Sequence, residues 1–288
     1  IKLMTYGIIS SVNIDPIEKK PLYHFYPGAT VFSIGGYGCN FKCGWCQNYE
    51  ISTERFENLF DGERHTPAEV VKKCKESKSK IIAFTYNEPT IWYEYIYDIS
   101  KLAKKERIKT VIVTNGYINA EPLKKLIKYI DGVNVDLKSF SAEFYKKNCA
   151  GKLKPVLEAL KIYKQKWLEV TNLIIPGMND SEKEIKEMSK WILENLGKET
   201  PLHFSRFYPM YKLTHVKPTT KETLIKARKI AKKFLDYVYI GNVQDTEMNS
   251  TKCPKCKKIV IERTGYTVYN KTKKGKCPYC GYKIAGEF

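Results

Sequence analysis

Arginine is scarce in this chain of 288 residues, supplying six of its 50 basic side chains and leaving lysine to carry the rest. No stretch approaches the ~20 consecutive apolar residues that cross a bilayer, and no secretory leader opens the chain, so a membrane or secreted protein is not expected. The nine cysteines are too few and too clustered for a disulfide scaffold. Internal repeats and low-complexity tracts are absent as well. What is left is a cytoplasmic globular protein, 43% hydrophobic and 13% aromatic. Its length suits one barrel of roughly 200 to 250 residues with a small appendage. The chain begins at Ile1 rather than methionine, and native sequence is expected to precede it.

The net charge of +19 invites a nucleic-acid reading, because lysine and arginine neutralise phosphates. The scarcity of arginine works against it. Lysines such as Lys124, Lys125 and Lys128 fall on solvent-facing helical positions, so a solvated basic surface is expected and nucleic acid is not an expected partner. An RNA-modifying protein stays as an alternative, with basic residues gathered beside its active site.

Short β-branched runs recur at Val31–Ile34, Ile81–Phe84, Thr110–Val113, Val133–Val135, Val170–Ile175 and Leu202–Phe204, each followed by a helical pattern. That alternation predicts βα units and a parallel sheet. Thr66-Pro67-Ala68-Glu69 and Ser181-Glu182-Lys183-Glu184 read as capping boxes that start helices, and Gly197 ends the second. The pattern fits a partial (βα)6 TIM-like barrel and also a doubly wound sheet. Polar residues at every strand end favour the barrel, whose active site forms at those carboxyl ends. A lead-in segment over 1–30, the barrel over 31–248 and a cysteine-rich domain over 249–288 are expected.

Directly after the first barrel strand comes Cys39-Asn40-Phe41-Lys42-Cys43-Gly44-Trp45-Cys46. Three thiolates can hold three irons of a [4Fe–4S] cluster and leave the fourth iron open. A structural zinc or an electron-transfer cluster would take a fourth protein ligand, and the nearest remaining candidates, His24 and His65, lack the spacing for it. The amino and carboxylate groups of S-adenosylmethionine (SAM) can chelate an open iron. Reduction then breaks the S–C5′ bond and gives a 5′-deoxyadenosyl radical.

On these residues the chain resembles the radical SAM superfamily, in particular the pyruvate formate-lyase activating enzymes and, more closely, the AmmeMemoRadiSam-type proteins. The likeness runs through Asp15–Leu22, His24-Phe25, Gly38-Cys39-Asn40-Phe41, Cys46-Gln47-Asn48, Thr85-Tyr86-Asn87-Glu88-Pro89, Thr114-Asn115-Gly116, Asp136-Leu137-Lys138, Ile175-Pro176-Gly177 and Gly241-Asn242-Val243. It implies a radical SAM barrel, a [4Fe–4S] cluster, SAM, and a low-potential electron donor such as ferredoxin or flavodoxin. It also implies that the backbone of Trp45 meets the SAM adenine and that Asn87 and Glu88 stand where the methionine amino group is received. Thr114 and Asn115 would line the same cofactor site. Two departures stand out: Tyr86-Asn87 replaces the usual Gly-Gly, and Val113 replaces an Asp that often helps hold a cation. Asp136 and Lys138 alternate with apolar neighbours, which aims both into the barrel for a SAM or substrate role or for an ion pair. His203 and Arg206 either meet SAM or substrate or end a strand. Cys74 and Cys149 read as inert.

In the tail, Cys253-Pro254-Lys255-Cys256 and Cys277-Pro278-Tyr279-Cys280 are separated by 20 residues. Two such knuckles predict a zinc ribbon, with a rubredoxin-like iron or an auxiliary cluster as the alternative. The expected function is reductive SAM cleavage and hydrogen abstraction from a protein glycine or a small metabolite. A non-catalytic zinc or iron–sulfur protein is the alternative of a different class.

Overall fold

The β-branched runs and the helical patterns between them fold as six successive βα units, described in a computed structural model over residues 3–53 and 63–288. Ile1, on which the expectation of preceding sequence rests, lies outside those residues. The chain enters through β1 (Ser11–Pro16) and alternates β2 (Thr30–Gly35), α1 (Pro67–Glu76), β3 (Ile81–Phe84), α2 (Tyr93–Lys105), β4 (Lys109–Thr114), α3 (Ala120–Leu126) and β5 (Gly132–Asp136). It continues through α4 (Leu153–Tyr163), β6 (Trp167–Ile174), α5 (Glu182–Leu196), β7 (Leu202–Arg206), α6 (Lys221–Ala231) and β8 (Val238–Gly241). Hydrogen bonds join the strands in chain order into one sheet, antiparallel between β1 and β2 and parallel onward. Among the described residues no ladder returns from β8 to β1, so the barrel is open.

Two of these strands add to the six that the sequence predicts. Val12 and Ile14 of β1 are 47% and 57% exposed while Asp15 is buried, which inverts the usual apolar-in pattern and hides the edge strand from periodicity. Helix starts follow the capping chemistry with one exception. Thr66 and Glu69 satisfy each other's backbone amides at the head of α1. At α5, Ser181 accepts from the Glu184 amide, but the Glu184 carboxylate turns away to Ser139 Oγ and the Phe140 amide. That carboxylate braces the loop after β5 instead of completing a box.

Side chains alternate across each strand. One face, including Ile34, Ile82, Phe84, Val133, Val135, Val170 and Phe204, packs under the helices. On the other face Val31, Ile81, Ala83 and Val111 close around Ile17, Leu22 and Phe25 of the lead-in segment, which plug the barrel floor. A Cβ at Gly132 would stand 3.0 Å from the Phe25 ring, so a side chain there would press on the plug.

The tail forms a second antiparallel sheet from β9 (Thr251–Lys252), β10 (Ile259–Thr264) and β11 (Thr267–Asn270). It packs on Tyr23, Tyr237 and Tyr239 beneath the barrel. Its end is stitched to the lead-in by Glu287 N to His24 O and Tyr26 N to Glu287 O, both 2.8 Å. No helix among the described residues is long and apolar enough to cross a membrane.

Candidate active site and metal centres

Cys39 emerges from β2 through a bend at Gly38, whose φ is +90° and where a Cβ would meet Ile91 at 2.9 Å. The bend is clamped by Asn87: its Oδ1 accepts from the Gly36 amide at 3.1 Å and its Nδ2 donates to the Gly38 carbonyl at 2.9 Å. Asn115 holds the next residue, donating 2.7 Å to Asn40 Oδ1 while its own Oδ1 accepts from the Tyr117 amide. Asn40 Nδ2 donates back to Tyr117 O at 2.8 Å. The Cys46 amide closes a turn on Cys43 O at 3.3 Å. Trp45 is buried beneath this loop against Phe144, with ring centres 5.4 Å apart.

Glu88 ties the strand ends together. Its carboxylate, 2% exposed, accepts from Thr90 N (2.9 Å), Thr90 Oγ1 (2.7 Å), Thr114 Oγ1 (2.7 Å) and Asn115 N (2.7 Å). Burial raises its pKa, and these four donors act in the opposite direction by stabilising the charge. Asn87 and Glu88, expected as receivers of the methionine amino group, are joined to their neighbours by internal hydrogen bonds. They hold the cysteine loop against β3 and β4. Thr114 and Asn115 share that work. Tyr86 explains the departure from Gly-Gly: its φ is +76°, a conformation that favours glycine. The strain is carried because the Tyr86 hydroxyl donates to Asp15 at 2.7 Å and its ring receives the Lys20 ammonium.

At the end of β5, Asp136 and Lys138 form the expected pair at 2.9 Å, with side chains 33% and 17% exposed. Burial disfavours the Lys138 charge, yet the Asp136 carboxylate and the Cys43 sulfur outweigh it and hold the ammonium above its ordinary pKa. The pair stands beside Cys43.

His203 lies deep in the barrel. It is the second residue of β7, and its Nε2 lies 2.7 Å from Glu169 Oε2, with the ring packed on Tyr23 and Tyr239. Glu169 also accepts from the Tyr23 and His24 amides and the Trp167 indole. His203 therefore sits at the barrel floor, buried against Glu169. Arg206, at the other end of the same strand, donates to Thr219 O.

The tail cysteines form two like turns. Lys257 N donates to Cys253 O at 2.9 Å and Gly281 N to Cys277 O at 3.0 Å, and the residue after each second cysteine has positive φ, +63° at Lys257 and +71° at Gly281. All four sulfurs lie within 4.8 Å of one another, with Cys253–Cys280 and Cys256–Cys277 at 3.7 Å. Two thiolates on a tetrahedral ion with bonds of ~2.3 Å stand about 3.8 Å apart, so the cage is sized for one metal ion. Cys39, Cys43 and Cys46 make no such tight group. Sulfurs that each serve a different iron must stand apart, and the donor set of three thiols fits a cluster better than a single ion.

Residues 33–192, more than half of the chain, match the family model of the radical SAM superfamily. The chain belongs to that superfamily. An uncharacterized protein of Methanocaldococcus jannaschii is 45% identical over 97% of this chain and 84% of its own length. The pyruvate formate-lyase-activating enzyme of Clostridium pasteurianum is 26% identical over 69% of this chain and 89% of its own. Among solved structures, a radical SAM methyltransferase from Sphaerobacter thermophilus superposes with a TM-score of 0.58 at 15% identity, covering 75% of this chain and 67% of that one. This last likeness shows the fold. A radical SAM protein is expected to hold a [4Fe–4S] cluster and SAM, and the loop from Cys39 to Cys46 is where this chain offers three thiols. Sequence reasoning missed the braces around them, namely Asn40, Tyr117, Ser52, whose hydroxyl lies 3.7 Å from Cys46 Sγ, and Cys149, whose carbonyl accepts from the Lys42 amide at 2.9 Å. Each is an ordinary polar or small residue whose partner is remote in sequence or outside any motif.

Proposed function

We propose that the chain is a radical SAM enzyme in which Cys39, Cys43 and Cys46 each hold one iron of a [4Fe–4S] cluster and the fourth iron is left to the methionine end of SAM. When bound, this pair supplies a 5′-deoxyadenosyl radical through reductive cleavage of the S–C5′ bond. The observation that carries the reading is the anchoring of a three-thiol loop to the carboxyl ends of β2, β3 and β4 by Asn87, Asn115 and Glu88. Those residues set the loop's position before any ligand arrives, and buried Phe41 and Trp45 keep water from its inner side. Lys138 and Asp136 offer a cation and a carboxylate to SAM or substrate. Hydrogen is taken from a C–H bond of a partner protein or a small molecule, and the activating-enzyme relatives favour a protein glycine. The electron comes from a low-potential donor such as ferredoxin or flavodoxin. Lysine ion pairs spread from Lys72 and Lys75 on α1 to Lys226 on α6 and Lys271 in the tail, which supports a solvated basic surface over an RNA-binding face. The tail holds one zinc on its four thiolates.

The test is anaerobic purification, metal analysis, reduction with dithionite, addition of SAM and detection of 5′-deoxyadenosine. About four irons and one zinc per chain are expected. Cleavage that persists in Cys43→Ala would falsify the assignment.

A further inference from the structure

Strand β1 stands outside the parallel series, and the one buried side chain it offers is a carboxylate. Asp15 Oδ2 accepts from the Lys20 ammonium and from the Tyr86 hydroxyl, both at 2.7 Å, and Oδ1 accepts from Lys19 Nζ at 2.9 Å. Lys20 is itself buried, its ammonium 4.5 Å from the centre of the Tyr86 ring. The ring reaches Asp15 by lying against Gly35 of β2, where a Cβ would stand 3.0 Å from it. Desolvation takes back much of what such a buried pair gains from its attraction, so stability alone is a poor account of it. What the pair grips is more informative.

Tyr86 is the centre of a γ-turn. The Asn87 amide donates to the Thr85 carbonyl at 3.1 Å across it, and its φ of +76° is the rare, strained form of that turn. Both ends of the cysteine loop hang on this turn. The Tyr86 carbonyl accepts from Asn48 Nδ2 at 2.7 Å, two residues past Cys46. The Asn87 side chain clamps Gly36 and Gly38, the latter directly before Cys39. Strain of this kind persists only where the surroundings over-determine the conformation. Here the surroundings are Asp15 at the hydroxyl and Lys20 on the ring face. Without them Tyr86 relaxes towards negative φ, which turns its carbonyl away from Asn48 and carries Asn87 off the bend.

We infer that Asp15 and Lys20 are positioning residues for the cysteine loop: by holding Tyr86 in its γ-turn, they fix the carbonyl and the Asn87 side chain that grip the two ends of the Cys39–Cys46 segment. The inference rests on the reading of that segment as the cluster site. Glycine adopts positive φ without strain, so with glycine at position 86 the turn needs no anchor. Asp15 and the cysteine loop are then uncoupled.

The experiment is a double-mutant cycle read in iron-free protein as the rate at which iodoacetamide alkylates Cys39, measured by mass spectrometry of the peptides. Cys74, buried in α1, reports whether the fold has opened. Asp15→Ala should raise the Cys39 rate about tenfold with Cys74 still protected, which is the size expected when strain of this order is released. Tyr86→Gly should stay near wild type, and adding Asp15→Ala to it should change nothing further. An unchanged rate in Asp15→Ala, or an equal rise in both backgrounds, overturns the inference. If Asp15→Ala exposes Cys74, Tyr86→Phe decides, because it removes only the hydroxyl: a faster Cys39 supports the anchor and an unchanged one overturns it. In iron-loaded protein the paramagnetic signal of the reduced cluster should change shape in Asp15→Ala but not when Asp15→Ala is added to Tyr86→Gly, and the opposite result counts against the inference. Alkylation needs no iron, so protein that shows this pattern of rates yet takes up no cluster would sink the cluster reading alone.

Discussion

The two cysteine groups are built on different principles. In the tail the metal cage is made by local turns: within each knuckle, backbone bonds span a few residues, and the two knuckles meet across one short antiparallel sheet. In the barrel the three thiols are placed by residues far along the chain, since Asn115 reaches Asn40 across 75 positions and Asn87 reaches Gly36 across 51. A local cage can form with its metal as the chain folds, and the metal then supplies folding free energy. The barrel arrangement exists only once β2, β3 and β4 are registered, and its three thiols are left spaced and partly exposed. One group is sized for a single ion, whereas the other leaves its thiols apart.

This contrast predicts independent metal losses. Replacing Cys46 by alanine should abolish 5′-deoxyadenosine formation and remove most iron while the tail keeps its metal, as read by iron and zinc analysis of the purified protein. Cys253→Ser should do the reverse. It removes a ligand of a structural site of the kind that contributes ~10–16 kcal/mol in isolated zinc fingers. The tail also packs on Tyr23, Tyr237 and Tyr239, so part of its structure should survive, with stability reduced by several kcal/mol in a denaturant titration. A single change that stripped both metals would break the comparison.

Arg263 measures how firmly the tail and the barrel floor are joined. The side chain is completely buried in β10; it donates to Thr251 Oγ1 at 2.9 Å and to Asn249 O, lies 3.5 Å from Glu18, and stacks 4.2 Å over the Tyr23 ring. Arg263→Met should cost about 3–5 kcal/mol, because it leaves the buried Glu18 carboxylate without its cation. Burial already raises the Glu18 pKa, against the pull of Arg263. Adding Glu18→Gln to the variant should recover part of the loss in thermal melts. Additive losses would mean that the two side chains do not act as a pair.

The parallel series from β2 to β7 was legible because buried β-branched runs alternate with amphipathic helices that carry explicit caps. The seven clustered cysteines were legible from spacing alone. The rest was hidden for reasons that can be named. A pattern cannot show that Glu88 points inward to four donors, because an acid at a strand end looks the same whether it meets a ligand or a neighbour. His203 occupied a strand, but its depth in the barrel depends on register with β6 and β8, which sequence does not supply. Cys149 belongs to no motif, and its carbonyl meets the Lys42 amide from a π turn that periodicity does not reveal.

The smallest effect concerns acid, and it separates the floor from the mouth. His24 Nδ1 is 2.6 Å from Ala285 O, which can only accept, so Nδ1 carries the proton. In the neutral ring Nε2, 2.6 Å from the Tyr239 hydroxyl, accepts, and Thr251 Oγ1 completes the chain at 2.9 Å from the same hydroxyl. The ring is thus held neutral, and burial drives its pKa from 6.5 down to about 4. Between those values the unfolded chain binds the proton and the folded chain does not, so stability is full above pH 6.5 and falls as the pH drops towards 4. The shift corresponds to roughly 3 kcal/mol. Urea unfolding at pH 7 and pH 4.5 should show most of this loss in wild type and less of it in His24→Asn, whose amide can mimic both hydrogen bonds without titrating. Equal losses in the two proteins would assign the acid sensitivity to other groups and leave the His24 link between lead-in and tail with no part in it.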